Sequence, residues 1–446
     1  MTAANPILAT PTLPRNHFIL VFVALLVTAA GNTALQSVLP VIGREIQIPD
    51  MAIAVIFSFS ALLWTFTAPF WARQSDARGR RRLMQLGVMG FGISMLLCAC
   101  VILASIKGLI APLLTFALFT LARGLFGLFG AAANPAAQAF VAGRTTSAQR
   151  TAALATLASA FGLGTILGPA IAPFFILPVV GLSGPMFAFA VIALVVVVAL
   201  QRGLPDDDPT HAPPGTGQAG RGAVAAMPTV GGSATGASVL AADAITASGR
   251  RDRLSVMDPR IKPFMIYGFA SGSLQAATGQ ALGFFIIDRM AGTGMAAPQM
   301  IGIALMAGAG ATLMVQWGVI RMLNLSPSQL IRWGALIAAA GTLGIAFAPD
   351  FHALLLSFAL ACAGFGFARP GFTAGSSLAV SRAEQGGVAG AVTAVNGACF
   401  ILAPAIGIGL YELKPELPYW LAAAGLLLLA AYAWSSRLLR SADTAN

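Results

Sequence analysis

Long apolar runs alternate with short polar breaks along the whole chain. A helix that crosses a membrane needs about 20 consecutive apolar residues. Runs of at least about this length lie at 18–42, 52–72, 83–106, 109–141, 152–179, 183–201, 263–287, 298–320, 329–349, 352–381, 387–411 and 418–436. The pattern predicts an all-α polytopic membrane protein with twelve transmembrane helices in two six-helix bundles.

The segment between the sixth and seventh runs has a different composition. Residues 203–259 begin GLPDDDPTHAPPGTG and stay rich in Gly, Ala, Pro, Ser and Thr, with no long apolar run. Such a segment cannot bury a core, so it is predicted to be a flexible linker. The predicted organisation is a cytoplasmic tail at 1–17, a first bundle at 18–202, the cytoplasmic linker at 203–259, a second bundle at 260–437 and a cytoplasmic tail at 438–446.

The composition argues against a soluble protein, and also against a metal site, a cofactor or an enzymatic reaction. Hydrophobic residues make up 57% of the 446 residues and charged residues only 9%, whereas soluble domains carry about 25% charged residues. The four Cys lie inside apolar runs and the three His lie at segment ends or in the linker, without the spacing of a metal site. We therefore predict no metal and no cofactor. The apolar runs contain no cluster of His or carboxylates, so the chain is not predicted to be an enzyme.

Basic residues are distributed very unevenly between the two ends of the runs. With the N-terminus in the cytoplasm, 20 of the 26 Lys and Arg fall at cytoplasmic ends, 4 at the opposite ends and 2 inside runs. Cytoplasmic loops of membrane proteins carry such an excess. The net charge of +11 therefore reflects topology, and no nucleic-acid partner is predicted. We expect an integral plasma (inner) membrane protein, multi-pass and monomeric in the lipid, with both termini cytoplasmic.

The loop after the second run, ARQSDARGRRRL, carries more than basic charge. A bias toward positive charge accounts for its arginines, but not for Asp76 and Gly79 in register with Arg80 and Arg81. With this spacing the loop resembles the signature loop of the major facilitator superfamily, although Ala72 stands where the family usually has Gly. The resemblance implies a transporter fold of two pseudo-symmetric bundles. It also implies a gating role for Asp76, Gly79, Arg80 and Arg81, with the loop latching the two halves together.

Two further runs resemble motifs of the same superfamily. The fourth contains LARGLFG, similar to the family's intramembrane arginine motif, with the arginine at position 123. The fifth contains Gly164, Gly168 and Pro169, which resemble the motif of the exporters. Small residues four apart let two helices touch along one face. The match in the fifth run implies export.

The segment 382–407 resembles the junction before the eleventh span of drug:proton antiporters of the tetracycline-efflux type. That resemblance implies a small-molecule substrate, with protons as the coupling ion. The residues supply no conventional proton carrier, because none of the 15 acidic residues lies in the middle of an apolar run. Asp288, at the outer end of the seventh run, is the nearest, and amides such as Asn32 and Gln36 do not titrate.

Two arginines lie inside the runs with no acid evident to pair them. An unpaired buried charge is costly, so one or both are expected to face a central cavity that prefers anionic or zwitterionic substrates. The predicted substrate-binding residues are Asn32, Gln36, Arg123, Gln275, Gln280, Arg369 and Asn396. Two functions remain open. The chain is either a proton-coupled exporter of drugs or metabolites, or an exporter or facilitator of an anionic natural product, such as a siderophore, that lacks a conventional intramembrane proton carrier.

Overall fold

The computed structural model describes residues 13–145, 147–206, 255–290, 296–381 and 384–440. Nearly all of these residues are helical. The main helices are α1 (Arg15–Glu45), α2 (Asp50–Arg78), α3 (Arg80–Ile106), α4 (Pro112–Phe129), α5 (Ala133–Ala142), α6 (Ser147–Ile171), α7 (Gly184–Gly203), α8 (Lys262–Arg289), α9 (Ala297–Met314), α10 (Ile320–Leu323), α11 (Pro327–Ala346), α12 (Phe351–Leu378), α13 (Gln385–Leu413), α14 (Leu417–Ser435) and α15 (Arg437–Arg440).

Eleven spans of the described chain are long and apolar enough to cross a membrane. Two of them are interrupted helices. A 3₁₀ turn joins α4 to α5 within the span Pro112–Ala142, and a π-helical turn joins α9 to α10 within Ala297–Leu323. The predicted seventh span is present as the 28-residue helix α8, but it is not one of the eleven. Its serines, threonine and glutamines make it more polar than the other spans.

Most of the predicted linker lies outside the described residues, as do most of the two predicted tails. The proposed domain boundaries therefore stay predictions. The helices themselves begin where local chemistry favours a start. Proline, which lacks the N–H that a first turn leaves unpaired, opens the helices at positions 112, 185, 263, 298, 327 and 418.

The helix pairings of the first half, α1–α7, recur in the second half, α8–α14. The first half packs α1 on α6, α3 on α4, α2 on α4 and α3 on α7. The second half packs α8 on α13, α11 on α12, α9 on α12 and α11 on α14. Each pairing in the second half joins the equivalents of the two helices paired in the first. The two halves are therefore bundles of the same architecture.

The two halves meet along helices that are also equivalent. Helix α2 packs against α13, α6 packs against α9, and α1 contacts α8 and α9. We call the end of the molecule where α1 ends and α2 begins the outer end, because the charge distribution predicts that it faces away from the cytoplasm. The opposite end, where α2 is followed by α3, is the inner end.

The predicted orientation can be tested by labelling single cysteines in a cysteine-free background. We expect a membrane-impermeant maleimide to label a Lys107→Cys variant in intact cells, because this exposed residue lies at the outer end. An Arg437→Cys variant, exposed at the inner end, should react only after the membrane is opened with detergent. Labelling of position 437 in intact cells would show that the protein has the opposite orientation in the membrane.

Candidate functional site

A cavity of about 70 Å³ lies between the two halves, in the outer part of the bundle. Small-molecule sites commonly enclose several hundred Å³, so the cavity is constricted in this conformation. Helices α1 and α2 line it from the first half, and α8, α9, α11, α12 and α13 line it from the second. Its lining includes Gln36, Pro40, Phe57, Gln275, Thr278, Gln280, Gly283, Phe358, Cys362, Phe365, Phe400 and Pro404.

Three of the predicted substrate-binding residues line this cavity together. Gln36 comes from α1, and Gln275 and Gln280 come from α8. An amide side chain offers both hydrogen-bond donors and an acceptor, so the cavity can hold polar groups of a ligand without carrying charge itself.

Aromatic rings supply much of the remaining wall. Phe57, Phe358, Phe365 and Phe400 all face the cavity, and sequence analysis singled out none of them. With 28 phenylalanines in the chain, nothing local distinguishes a ring that lines a cavity from one that faces lipid.

A second, smaller cavity lies beside the first and holds two more of the predicted residues. Its volume is about 10 Å³, and Arg369 of α12 and Asn396 of α13 line it. Gln275 and Phe365 line both cavities, so the two adjoin. Arg369 is half-buried, and no hydrogen bond or ion pair holds its guanidinium among the described residues. Arg369 therefore lines a cavity without a hydrogen-bonded or ionic partner among the described residues, and its substrate-binding role stays a prediction.

Arg123 and Asn32 lie elsewhere, in the packed interior of the first half. Both are fully buried, and Arg123 Nη2 donates a 2.7 Å hydrogen bond to Asn32 Oδ1. The guanidinium carbon lies 4.8 Å from the centre of the Phe126 ring and 5.8 Å from that of Phe57, distances at which a cation is attracted to a ring. Neither Arg123 nor Asn32 lines the described cavities, and their substrate-binding role stays a prediction.

Not every side-chain nitrogen of Arg123 has a hydrogen-bond partner. Its Nε and Nη1 atoms are buried and have no hydrogen-bond partner among the described residues. The sequence predicts that one or both intramembrane arginines face a central cavity, and in this conformation Arg369 lines the second cavity whereas Arg123 lines neither described cavity. Phe57 lines the first cavity, and its ring also faces the Arg123 guanidinium.

The predicted gating loop forms the tight connection between α2 and α3. Gly79 alone separates the two helices and has a φ of 89°, a conformation that other residues rarely adopt. Arg80 lies against Gly143 at the end of α5. Arg81 donates a 2.8 Å hydrogen bond to the carbonyl of Leu204. These arginines thus contact the first half, while the side chain of Asp76 lies outside the described residues, so the latch stays a prediction.

The predicted exporter motif lies where α6 packs on α1. A Cβ atom added to Gly168 would come within 2.1 Å of the Ala30 carbonyl oxygen, and one on Gly164 would lie 2.6 Å from the Ala29 Cβ. Thr33 Oγ1 donates to the Gly164 carbonyl at 3.3 Å. Pro169 extends this contact to the second half, because its carbonyl lies against Gly302 of α9. The two glycines therefore allow the close helix contact that their spacing predicts.

Two bundles with equivalent pairings, meeting around a buried cavity, are the architecture of a secondary transporter. The family model of the Major Facilitator Superfamily matches residues 21–404. The chain belongs to this superfamily, and it is a multi-span membrane transporter and not an enzyme.

Curated relatives agree with the predicted resemblance to efflux proteins. Over 184 residues the chain is 32% identical to the tetracycline resistance protein, class B, of Escherichia coli. The matched stretch covers 40% of this chain and 41% of that protein. It is 26% identical over 184 residues to multidrug resistance protein 2 of Bacillus subtilis, covering 41% of this chain and 42% of that protein. The matched stretches thus span about two fifths of these relatives.

Solved structures show the same fold over nearly the whole chain. The human organic anion transporter MFSD10 superposes with a TM-score of 0.62 at 18% identity, covering 94% of this chain and all of that one. The proton:xylose symporter XylE superposes with a TM-score of 0.61 at 13% identity, covering 94% of each chain.

Proposed function

We propose that this transporter exports a small organic molecule by alternating access, and that the molecule is anionic or zwitterionic. The observation that carries the substrate class is Arg369, a half-buried intramembrane cation at the edge of the cavity system with no acidic partner among the described residues. A cation at such depth is costly and marks a functional site by default. A ligand carboxylate or other anion would provide the missing partner.

The remaining lining supports the same substrate class. Among the described residues that line the two cavities none is acidic. A lipophilic cation would therefore find no counter-charge there and would face the charge of Arg369. The amides of Gln36, Gln275 and Gln280 suit polar groups, and the phenylalanines suit an apolar or aromatic body. A small amphipathic organic anion combines these features.

Two observations favour export as the direction of transport. The relatives are named for tetracycline and multidrug resistance, and the glycines of the exporter motif make the predicted contact between α6 and α1. Proton antiport, which the sequence resemblance to drug:proton antiporters implies, is the other candidate function. We propose transport without a carboxylate proton carrier in the cavity, because none is found in the described lining. The plasma (inner) membrane is the proposed location.

Transport measurements in reconstituted vesicles distinguish these possibilities. Uptake of a panel of matched anionic, neutral and cationic aromatic compounds would be measured with and without an imposed pH gradient. We expect the anions to be transported fastest, at similar initial rates in both conditions. Fastest transport of the cations would contradict the substrate class. A rate that rises several-fold with the gradient would instead establish proton coupling.

A further inference from the structure

Two tryptophans meet on the exposed surface at the inner end of the second half. Trp333 lies in the second turn of α11, and Trp434 lies in the last turn of α14. Their ring centres are 6.4 Å apart in an edge-on arrangement, and the two residues are 54% and 41% exposed. Tryptophans are enriched where membrane helices meet the lipid headgroups. The pair therefore marks the headgroup level on the surface between α11 and α14.

An arginine lies next to each of these tryptophans in the sequence. Arg332 directly precedes Trp333 and is half-buried, with its Nε atom buried. The guanidinium of Arg332 therefore lies against the protein surface and does not extend freely into water. Arg437 follows Trp434 by three residues and is exposed. Because Leu439 is fully buried and α15 contacts α8, Arg437 is held at the end of the bundle.

Neither arginine is paired with an acid in the part of the chain that the structure describes. No hydrogen bond or ion pair there holds the side chain of Arg332 or Arg437. The described carboxylates at the inner end of the second half are those of Asp258 and Glu384, and both bind Arg260, at 3.0 Å and 2.6 Å. Two unpaired guanidinium groups at the headgroup level favour an anionic group there, and the planar guanidinium matches the oxygens of a phosphate.

The surface deeper in the membrane suits an acyl chain. Ala340 of α11 and Leu427 of α14 are exposed, and each is seven residues from the tryptophan of its helix. Seven residues are about two helical turns, so both lie on the faces that carry the tryptophans. Helix α14 has no charged residue, and α11 has none beyond Arg332. A phospholipid would use both this apolar strip and the arginines, whereas free phosphate would use the arginines alone.

We propose that Arg332, Trp333, Trp434 and Arg437 form a binding site, the inner lipid site, for an anionic phospholipid. The phosphate accepts charge-assisted hydrogen bonds from the two guanidinium groups, and an acyl chain lies along the apolar strip below the tryptophans. Basic pockets between membrane helices bind anionic headgroups in this way. None of the four residues lines a described cavity, so the site does not depend on the proposed substrate or on the direction of transport.

The two tryptophans of the inner lipid site can report on its occupancy, because brominated phospholipids quench tryptophan fluorescence on contact. The experiment uses the full-length protein with Trp317 and Trp420 replaced by Phe. Trp64 and Trp71 are buried and contribute a constant background. Phosphatidylcholine nanodiscs at low salt would contain brominated phosphatidylglycerol or brominated phosphatidylcholine at equal mole fractions. We expect phosphatidylglycerol to bind with about fivefold higher relative affinity, the effect of about one basic residue near an anionic surface.

Variants of the two arginines test whether they cause this preference. The combined Arg332→Gln and Arg437→Gln variant should bring the ratio of the two affinities close to one. The combined Arg332→Lys and Arg437→Lys variant keeps both charges and should retain most of the preference. Arg321→Gln removes an exposed charge at the inner end of α10, in the same half, and should leave the ratio at the parent value.

The same measurement distinguishes a lipid site from a site for free anions. Inorganic phosphate at matched ionic strength should not displace brominated phosphatidylglycerol, because it lacks the acyl chain that contacts the apolar strip. Displacement by phosphate would overturn the proposal in favour of a free-anion site. Equal quenching by the two lipids in the parent, an unchanged ratio in the double glutamine variant, or an equal fall in Arg321→Gln would also overturn it.

Discussion

Replacing Arg369 by glutamine is expected to reduce transport of an anionic substrate by about tenfold or more. Hydrogen bonds to charged groups contribute about 1.5–3 kcal/mol, and each 1.4 kcal/mol corresponds to about a factor of ten. The change removes the cation beside the cavity, while the amide keeps much of the side-chain length and some hydrogen-bonding capacity. The measurement is the initial rate of uptake into reconstituted vesicles, compared for an anion and a neutral analogue of the same shape.

The specificity of this loss distinguishes a substrate contact from a structural role. Arg369→Lys, which keeps the charge but not the planar group, should retain more anion transport than Arg369→Gln. Arg321→Gln removes the same charge from an exposed position at the inner end of α10 and should leave transport unchanged. An equal loss for the anion and the neutral analogue in Arg369→Gln would show that Arg369 only supports the fold.

Replacing Gly168 by alanine is expected to destabilise the protein strongly and to abolish most transport. The new Cβ would lie 2.1 Å from the Ala30 carbonyl oxygen and 2.4 Å from Thr33 Oγ1, so α1 must move away from α6. Overpacking of this kind typically costs 1–3 kcal/mol, and here the obstacle is backbone that cannot rotate away. The thermal midpoint in detergent can be followed with a thiol-reactive dye, because Cys98, Cys362 and Cys399 are buried until the protein unfolds.

Gly310→Ala provides the matched control for this prediction. Gly310 lies inside α9, and a Cβ added there meets nothing within 4 Å. Alanine is also the better helix former, so this variant should melt at or slightly above the parent temperature. An unchanged midpoint in Gly168→Ala would mean that the contact between α1 and α6 adjusts more freely than the structure indicates.

The sequence predicts the helices well because lipid imposes a strong rule on each segment. Every backbone group in the bilayer must be paired within its own helix, so length and hydropathy mark most spans without reference to their neighbours. Gly79 can also be recognised locally as a turn residue. A single residue connects α2 to α3, and this connection requires the positive φ that glycine adopts most easily. The exporter glycines are also evident, since their spacing matches a helix-packing face.

The cavity is less predictable, because its lining depends on how distant segments pack together. Gln36, Gln275 and Gln280 stand out as polar residues in apolar runs, and the structure brings them together. Phe358 and Phe400 carry no such signal. Arg123 and Arg369 look equivalent in the sequence, but only the structure separates them, placing Asn32 and aromatic rings around Arg123. The partner of Asp288 likewise cannot be identified locally, since Arg44 Nη2, which lies 2.9 Å from its carboxylate, belongs to the other half.

The polarity of α8 bears on how the protein is made. This helix contributes Gln275 and Gln280 to the cavity, and it is not among the spans apolar enough to cross a membrane by length and composition alone. Its burial comes from neighbours, with Gly272 against Cys399 and Gly268 against Phe372. During synthesis α8 emerges before α12 and α13, the helices that shield it. We therefore expect the stable residence of α8 in the bilayer to depend on α12 and α13, which are made after it.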